Sequence, residues 1–220
     1  MSTLPRRQFL ARTTATLAGA ALTRRGLAAT TPNAAELSST PPVIVSTWPF
    51  GKPANEEALA TLRRGGSGLD AVEQGIRVTE SDPNNPSVGL AGIPNAAGVV
   101  QLDACIMSGP GHKAGAVAAV EGFAHPISIA RRVMETTPHV LLVGEGAMEF
   151  ATKNGLERGP KVSAKQRAAW RKWRSEQKAA HAKSSGNHDT IALIALLADG
   201  NLVGGCSTSG LAYKLPGRVG

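Results

Sequence analysis

Between Thr190 and Thr208 the chain reads TIALIALLADGNLVGGCST. An unbroken apolar run opening on Thr, an Ala-Asp-Gly-Asn turn and a Gly-rich return favour one local arrangement, a β-hairpin. The first run has no polar alternation, so it is read as a central strand buried on both faces. Any fold for this chain must build a sheet around that pair. Upstream, a flexible-looking stretch from Lys183 to His188 leads into Asp189-Thr190 and at once into the strand. A plain linker before a hairpin needs no such junction, and this is where chemistry is sought.

The 220-residue chain supplies enough material for one sizeable domain. Its hydrophobic content is 42%, and 25 glycines beside 4% aromatics fit a tightly turning α/β architecture. Val43-Ile44-Val45 reads as a short buried strand. NEEALATLRRGG reads as a helix capped by Asn55 and stopped by Gly65-Gly66, and GLDAVEQGIRVTESDP as a second helix ended by Pro83. GVVQLDACIM and AGAVAAV read as strands joined by a turn. PISIARRVMETTP is a helix opened by Pro126, HVLLVG a strand and GAMEFATKNG a short helix. The pattern is a mixed order of hairpins and intervening helices.

The net charge of +8 is local rather than a field over the whole chain. Five of the charges are Arg6, Arg7, Arg12, Arg24 and Arg25, in a segment without an acid. Lys161 to Lys183 contributes a net +7, leaving the rest acidic. That second segment reads as one long helix with Trp170 and Trp173 three residues apart. Stacking on nucleic acid is one use for such a helix. The reading preferred here is a surface helix that packs its Trp and Ala face and solvates its Lys and Arg face.

Residues 1–29 run from paired Arg6-Arg7 through a mildly apolar stretch to small residues at Ala28-Ala29, the order of a twin-arginine export signal. The apolar stretch falls short of the roughly 20 residues of a permanent membrane anchor. A soluble periplasmic or extracellular protein is expected. Cys105 and Cys206 could pair in such a compartment, but are preferred as small buried hydrophobes. No Cys or His grouping has metal-ligand spacing, and no cofactor is expected.

If the peptide bond before Thr190 were cut, that residue would carry a free α-amine beside its own hydroxyl. With a pKa of about 8, the amine is partly unprotonated near neutral pH and can take the hydroxyl proton. One residue would then be nucleophile and base. The Thr190 hydroxyl can make the cut itself, by attacking the Asp189 carbonyl and passing through an ester that water opens. An isolated Asp-Thr would ordinarily be no more than the start of a β-branched strand.

The wider sequence decides otherwise. NHDTIALIALLADGNLVGGCSTSGLAYKLPGRVG resembles the cleavage-site region of the glycosylasparaginases, N-terminal nucleophile hydrolases that are also called aspartylglucosaminidases. VIVSTWPFG, SVGLAGIPNAAGVVQLDACIM and PISIARRVMETTPHVLLVGEGAMEFA agree as well. The resemblance covers nearly everything from Pro42 onward. Its most specific elements are His188-Asp189-Thr190, Ser46-Thr47-Trp48 and Gly217-Arg218-Val219-Gly220.

The resemblance implies an α/β (α+β) four-layer αββα sandwich. It implies a large chain, 30–189, and a small chain from Thr190, the cleaved units assembling as a homo-oligomer without nucleic acid or membrane anchor. Thr190 is implied as the nucleophile on the side-chain amide of an N4-glycosylated asparagine, and Thr208 as the group that orients it. Arg218 is implied as the bidentate partner of the substrate α-carboxylate, and Trp48 as pocket lining. Asp189 is implied as an aid to self-cleavage, and His188 as part of the same signature. The family continues past Gly220 with an Asp for the substrate α-amine and a Thr-Gly oxyanion segment, so a fragment, inactive by itself and with an incomplete sandwich, is expected. The rival substrates are free asparagine and β-aspartyl dipeptides, whose enzymes usually show Gly before the Thr. A non-catalytic exported binding protein using the basic helix is the alternative from another class.

Overall fold

A computed structural model describes residues 41–160, 162–179 and 190–220. Six strands form one sheet: β1 (Val43–Ser46), β2 (Leu102–Ser108), β3 (Lys113–Val120), β4 (Leu141–Val143), β5 (Ile191–Leu196) and β6 (Leu202–Thr208). Their spatial order is β1-β5-β6-β2-β3-β4. All neighbours are antiparallel except β3 and β4, which run parallel across an intervening helix. The β5–β6 hairpin therefore lies inside the sheet, closed by Leu197–Asn201 with Gly200 at φ +81°.

The helices are α1 (Lys52–Arg63), α2 (Gly68–Ser81), α3 (Pro126–Thr136), α4 (Gly144–Lys153) and α5 (Ala164–Ala179). The first three supply most of the layer over one sheet face. Val72, Ile76, Ile129 and Val133 meet Leu193, Ile106 and Val117 there in a single apolar core. Close approach is set by small residues: a Cβ on Gly115 of β3 would collide with the Ala130 carbonyl of α3. Helix α2 starts on a complete capping box, with Ser67 and Asp70 each accepting the other's backbone N–H. Helix α1 starts at Lys52, with Pro53 in its first turn, so Asn55 lies inside it rather than capping it.

The other face of the sheet is apolar and open. Val45, Met107, Val143, Ile194 and Leu202 are each about half exposed. Two expectations are corrected here. The β5 run is buried only at alternate positions, Ile191, Leu193 and Ala195, and β1 is an edge strand exposing Val43 and Val45. A uniformly apolar run cannot show which faces are covered. The mixed α/β class is the one observed, and the described residues supply one sheet and one helical layer of the expected sandwich.

The cysteine expectation is corrected for the same reason. Cys105 and Cys206 occupy the open-face positions of β2 and β6; Cys105 is exposed and Cys206 partly so. They are direct register partners, with their sulfurs 3.3 Å apart as free thiols. Helix α5 behaves as a packed surface helix. Trp173 stacks on Tyr213 at 4.4 Å, and the Trp170 indole N–H donates to the Ala96 carbonyl at 3.2 Å. Both rings are engaged within the protein.

Candidate active site

The β5–β6 register sets Ile191 opposite Ser207, so the next pair outward is Thr190 and Thr208. Thr190 is half-buried at the mouth of β5, and Thr208 is 4% exposed at the end of β6. On its other side Thr208 faces Asp103 of β2. Two hydroxyls and a buried carboxylate thus lie in one row across three strands.

A turn at the end of β1 fastens the Thr190 main chain. The Thr47 hydroxyl donates to the Thr190 carbonyl at 2.6 Å and accepts the Ala192 N–H at 3.0 Å. The Thr47 N–H donates to the Ala192 carbonyl. Trp48 follows with φ +64° and ψ 153°, a backbone region that costs a bulky residue of order 1–3 kcal/mol. Its side chain is 54% exposed. Gly51 closes the turn, because a Cβ there would collide with Ser46 Oγ. Strained backbone therefore follows directly on the residue that holds Thr190.

Beneath β6, on the helix face, lies a fully buried carboxylate. Glu80 of α2 accepts the Ser207 hydroxyl at 2.7 Å and the Ile127 N–H at 3.0 Å, and its other oxygen meets His125 Nδ1 at 3.0 Å. Burial pushes the Glu80 pKa up, against the pull of these hydrogen bonds and the histidine. The network ties α2 and the start of α3 to the residue just before Thr208.

Asp103 forms a second hub. One oxygen accepts the Ala119 N–H at a bulge in β3, where Ala119 has φ +53°. The other accepts the Lys214 ammonium at 2.9 Å and the Gly220 N–H at 2.7 Å. Lys214 and Asp103 are both 4% exposed, so each supplies the counter-charge that the other's burial requires.

The structure brings together Thr190, Thr208 and, through Thr47, Trp48. Arg218 lies in the exposed turn after Lys214, and that turn returns to the site at Gly220, where a Cβ would collide with the Thr208 methyl. His188 and Asp189 lie outside the described residues. Thr47, Glu80, Gln101, Asp103 and Lys214 escaped sequence reasoning as individual residues. The available signal was polar residues in apolar strands and helices, as in Gln101-Leu102-Asp103. Among the described residues no group of His, Cys, Asp or Glu could hold a metal ion.

A family model described as asparaginase matches residues 26–220. The N(4)-(β-N-acetylglucosaminyl)-L-asparaginase of Elizabethkingia miricola is 49% identical over 179 residues, covering 81% of this chain and 52% of that protein. The mouse protein of the same name is 36% identical over 214 residues, covering 83% and 62%. The Bos taurus isoaspartyl peptidase/L-asparaginase is 41% identical over 162 residues, covering 72% and 52%. The chain spans about half the length of the curated relatives it matches.

Proposed function

The chain belongs to the asparaginase family, and on that premise we propose that the complete gene product hydrolyses the N4 amide between N-acetylglucosamine and asparagine, with Thr190 as its N-terminal nucleophile. The observation carrying this reading is the seating of Thr190. Its carbonyl is held by Thr47, the β5–β6 register carried one residue outward sets it opposite Thr208, and its nitrogen is joined to Asp189 by a single peptide bond. The 49% identity to a relative named for this activity supports the substrate.

The chemistry proceeds in two stages. In maturation the Thr190 Oγ attacks the Asp189 carbonyl and the C–N bond breaks, which frees the α-amine and leaves an ester; water then hydrolyses that ester to the Asp189 carboxylate and the Thr190 hydroxyl; Asp189 assists and His188 completes the signature. In turnover the neutral amine takes the Thr190 hydroxyl proton as Oγ attacks the substrate side-chain carbonyl. The proton passes to the departing glycosylamine, leaving an aspartyl ester. Water, deprotonated by the same amine, then frees aspartate. Thr208 orients the nucleophile, Trp48 lines the pocket and Arg218 holds the α-carboxylate.

Export through the twin-arginine segment and division into a large chain, 30–189, and a small chain from Thr190 belong to the same reading, as does assembly of the cleaved units into a homo-oligomer. N-terminal sequencing of the mature protein should return two starts, one near residue 30 and one at Thr190. Thr190→Ala should leave a single polypeptide without activity. Kinetics on glycosylated asparagine, free asparagine and β-aspartyl dipeptides separate the substrate classes; preference for the dipeptides overturns the substrate assignment.

A further inference from the structure

We propose that Gln101 and Asp103 are positioning residues for Arg218, stapling the turn that carries it to the sheet beside Thr208 and so setting selectivity for substrates with a free α-carboxylate. The proposal deepens the functional reading above and rests on it for the role of Arg218.

Residues 215–220 are all exposed, so among the described residues little apolar packing fixes the turn beyond the contact of Gly220 with the Thr208 methyl. Its orientation comes from hydrogen bonds at both ends. Gln101 Oε1 accepts the Gly217 N–H at 3.0 Å, and Asp103 Oδ2 accepts the Gly220 N–H at 2.7 Å. These amides flank Arg218 in sequence, while the Arg218 N–H closes the turn onto the Leu215 carbonyl at 3.0 Å. Gln101 and Asp103 are two residues apart, the spacing that puts side chains on one face of an extended chain.

Each staple is itself held. The Gln101 amide nitrogen donates to Glu121 at 2.8 Å, which turns its carbonyl oxygen toward Gly217. Asp103 is braced by the Ala119 N–H and the Lys214 ammonium, so its carboxylate is held in one orientation. Gln101 and Asp103 are 8% and 4% exposed, so little water competes for these acceptors. A guanidinium that must meet a carboxylate with two parallel bonds needs its backbone fixed to a fraction of an ångström. Here two buried side chains supply that fixation to an exposed turn.

The test uses the complete gene product and two substrates, N4-acetylglucosaminyl-asparagine and its analogue lacking the α-carboxylate. Gln101→Met should raise KM for the first by about tenfold, the scale of one buried hydrogen bond, with kcat within about twofold. Activity on the analogue should not change. In an Arg218→Ala background the same substitution should have no further effect, as required of residues acting through one another. Gln101→Ala serves the same comparison should the Met variant fail to fold. Equal losses on both substrates, or losses that add to those of Arg218→Ala, overturn the staple. Failure of the unsubstituted enzyme on every amide substrate instead overturns the functional reading and takes this proposal with it. If β-aspartyl dipeptides prove to be the substrates, they carry the same α-carboxylate and the comparison is run with them.

Discussion

The Thr47 hydroxyl donates to the carbonyl of Thr190 and accepts the N–H of Ala192, bridging the first residues of β5 from outside the sheet ladder. A side chain in both roles fixes the Thr190 main chain where the sheet's own hydrogen bonding begins. Thr47→Val keeps the shape and removes both bonds. It should slow conversion to two chains and lower kcat by about 10–100-fold, the usual cost of misplacing a reacting group by a fraction of an ångström to an ångström. Gel analysis of chain conversion and steady-state kinetics measure the two effects; wild-type rates in both would remove Thr47 from the site.

Glu80 gives the fold a pH dependence of definite sign. Burial raises its pKa above the ordinary carboxylate value near 4.5, so the folded state binds this proton more tightly than the unfolded chain. Its contribution is complete below about pH 4.5 and is lost as pH rises through the folded pKa. Glu80→Gln retains an acceptor for Ser207 and Ile127 without the titration. The stability of this variant relative to wild type should therefore increase between pH 4.5 and 7 in urea unfolding. A pH-independent difference would show that Glu80 titrates alike in both states.

Cys105 and Cys206 face each other at 3.3 Å, and a disulfide needs about 2.05 Å with a Cα spacing that paired strands supply. The hydrogen bond shared with Cys206 holds the Cys105 thiol, the more exposed of the two, down to about 6 and pushes Cys206 up. Iodoacetamide at pH 7 should label Cys105 about tenfold faster, since the thiolate is the nucleophile. Glutathione disulfide should convert the pair to a disulfide seen by peptide mapping. Equal labelling rates would disprove the asymmetry.

Arg131 joins α3 to α2 through Asp70 and Glu73, each at 2.7 Å, and also bonds Glu135 on its own helix. Its side chain and that of Glu73 are 18% and 14% exposed, so water screens this cluster less than a surface pair. Arg131→Met should cost about 2–4 kcal/mol by leaving the carboxylates facing one another. Urea denaturation measures the loss; a change under about 0.5 kcal/mol would place the cluster with exposed pairs.

Local chemistry was legible where it is carried by neighbours in sequence. The β5–β6 hairpin follows from Asp199-Gly200 between apolar runs, and α2 and α3 follow from their spacing, Pro83 and Pro126. Asp189-Thr190 stood out because the candidate nucleophile and its scissile bond are adjacent, and Thr208 and Arg218 were reachable through resemblance. The start of α1 was misread because Asn55 is a good cap, whereas Pro53 fits the first helical turn.

By itself the sequence determined the hairpin and the helix stops and singled out Asp189-Thr190 as the candidate junction, since these depend on order along the chain. Tertiary structure alone decided that β5 is covered on one face and that two cysteines 101 positions apart touch. It also decided that Thr47 reaches Thr190 and that Gln101 and Asp103 hold the turn of Arg218. The physical reason is that burial and hydrogen-bond partnership belong to neighbours in space, and strand order chooses those neighbours after the chain has folded.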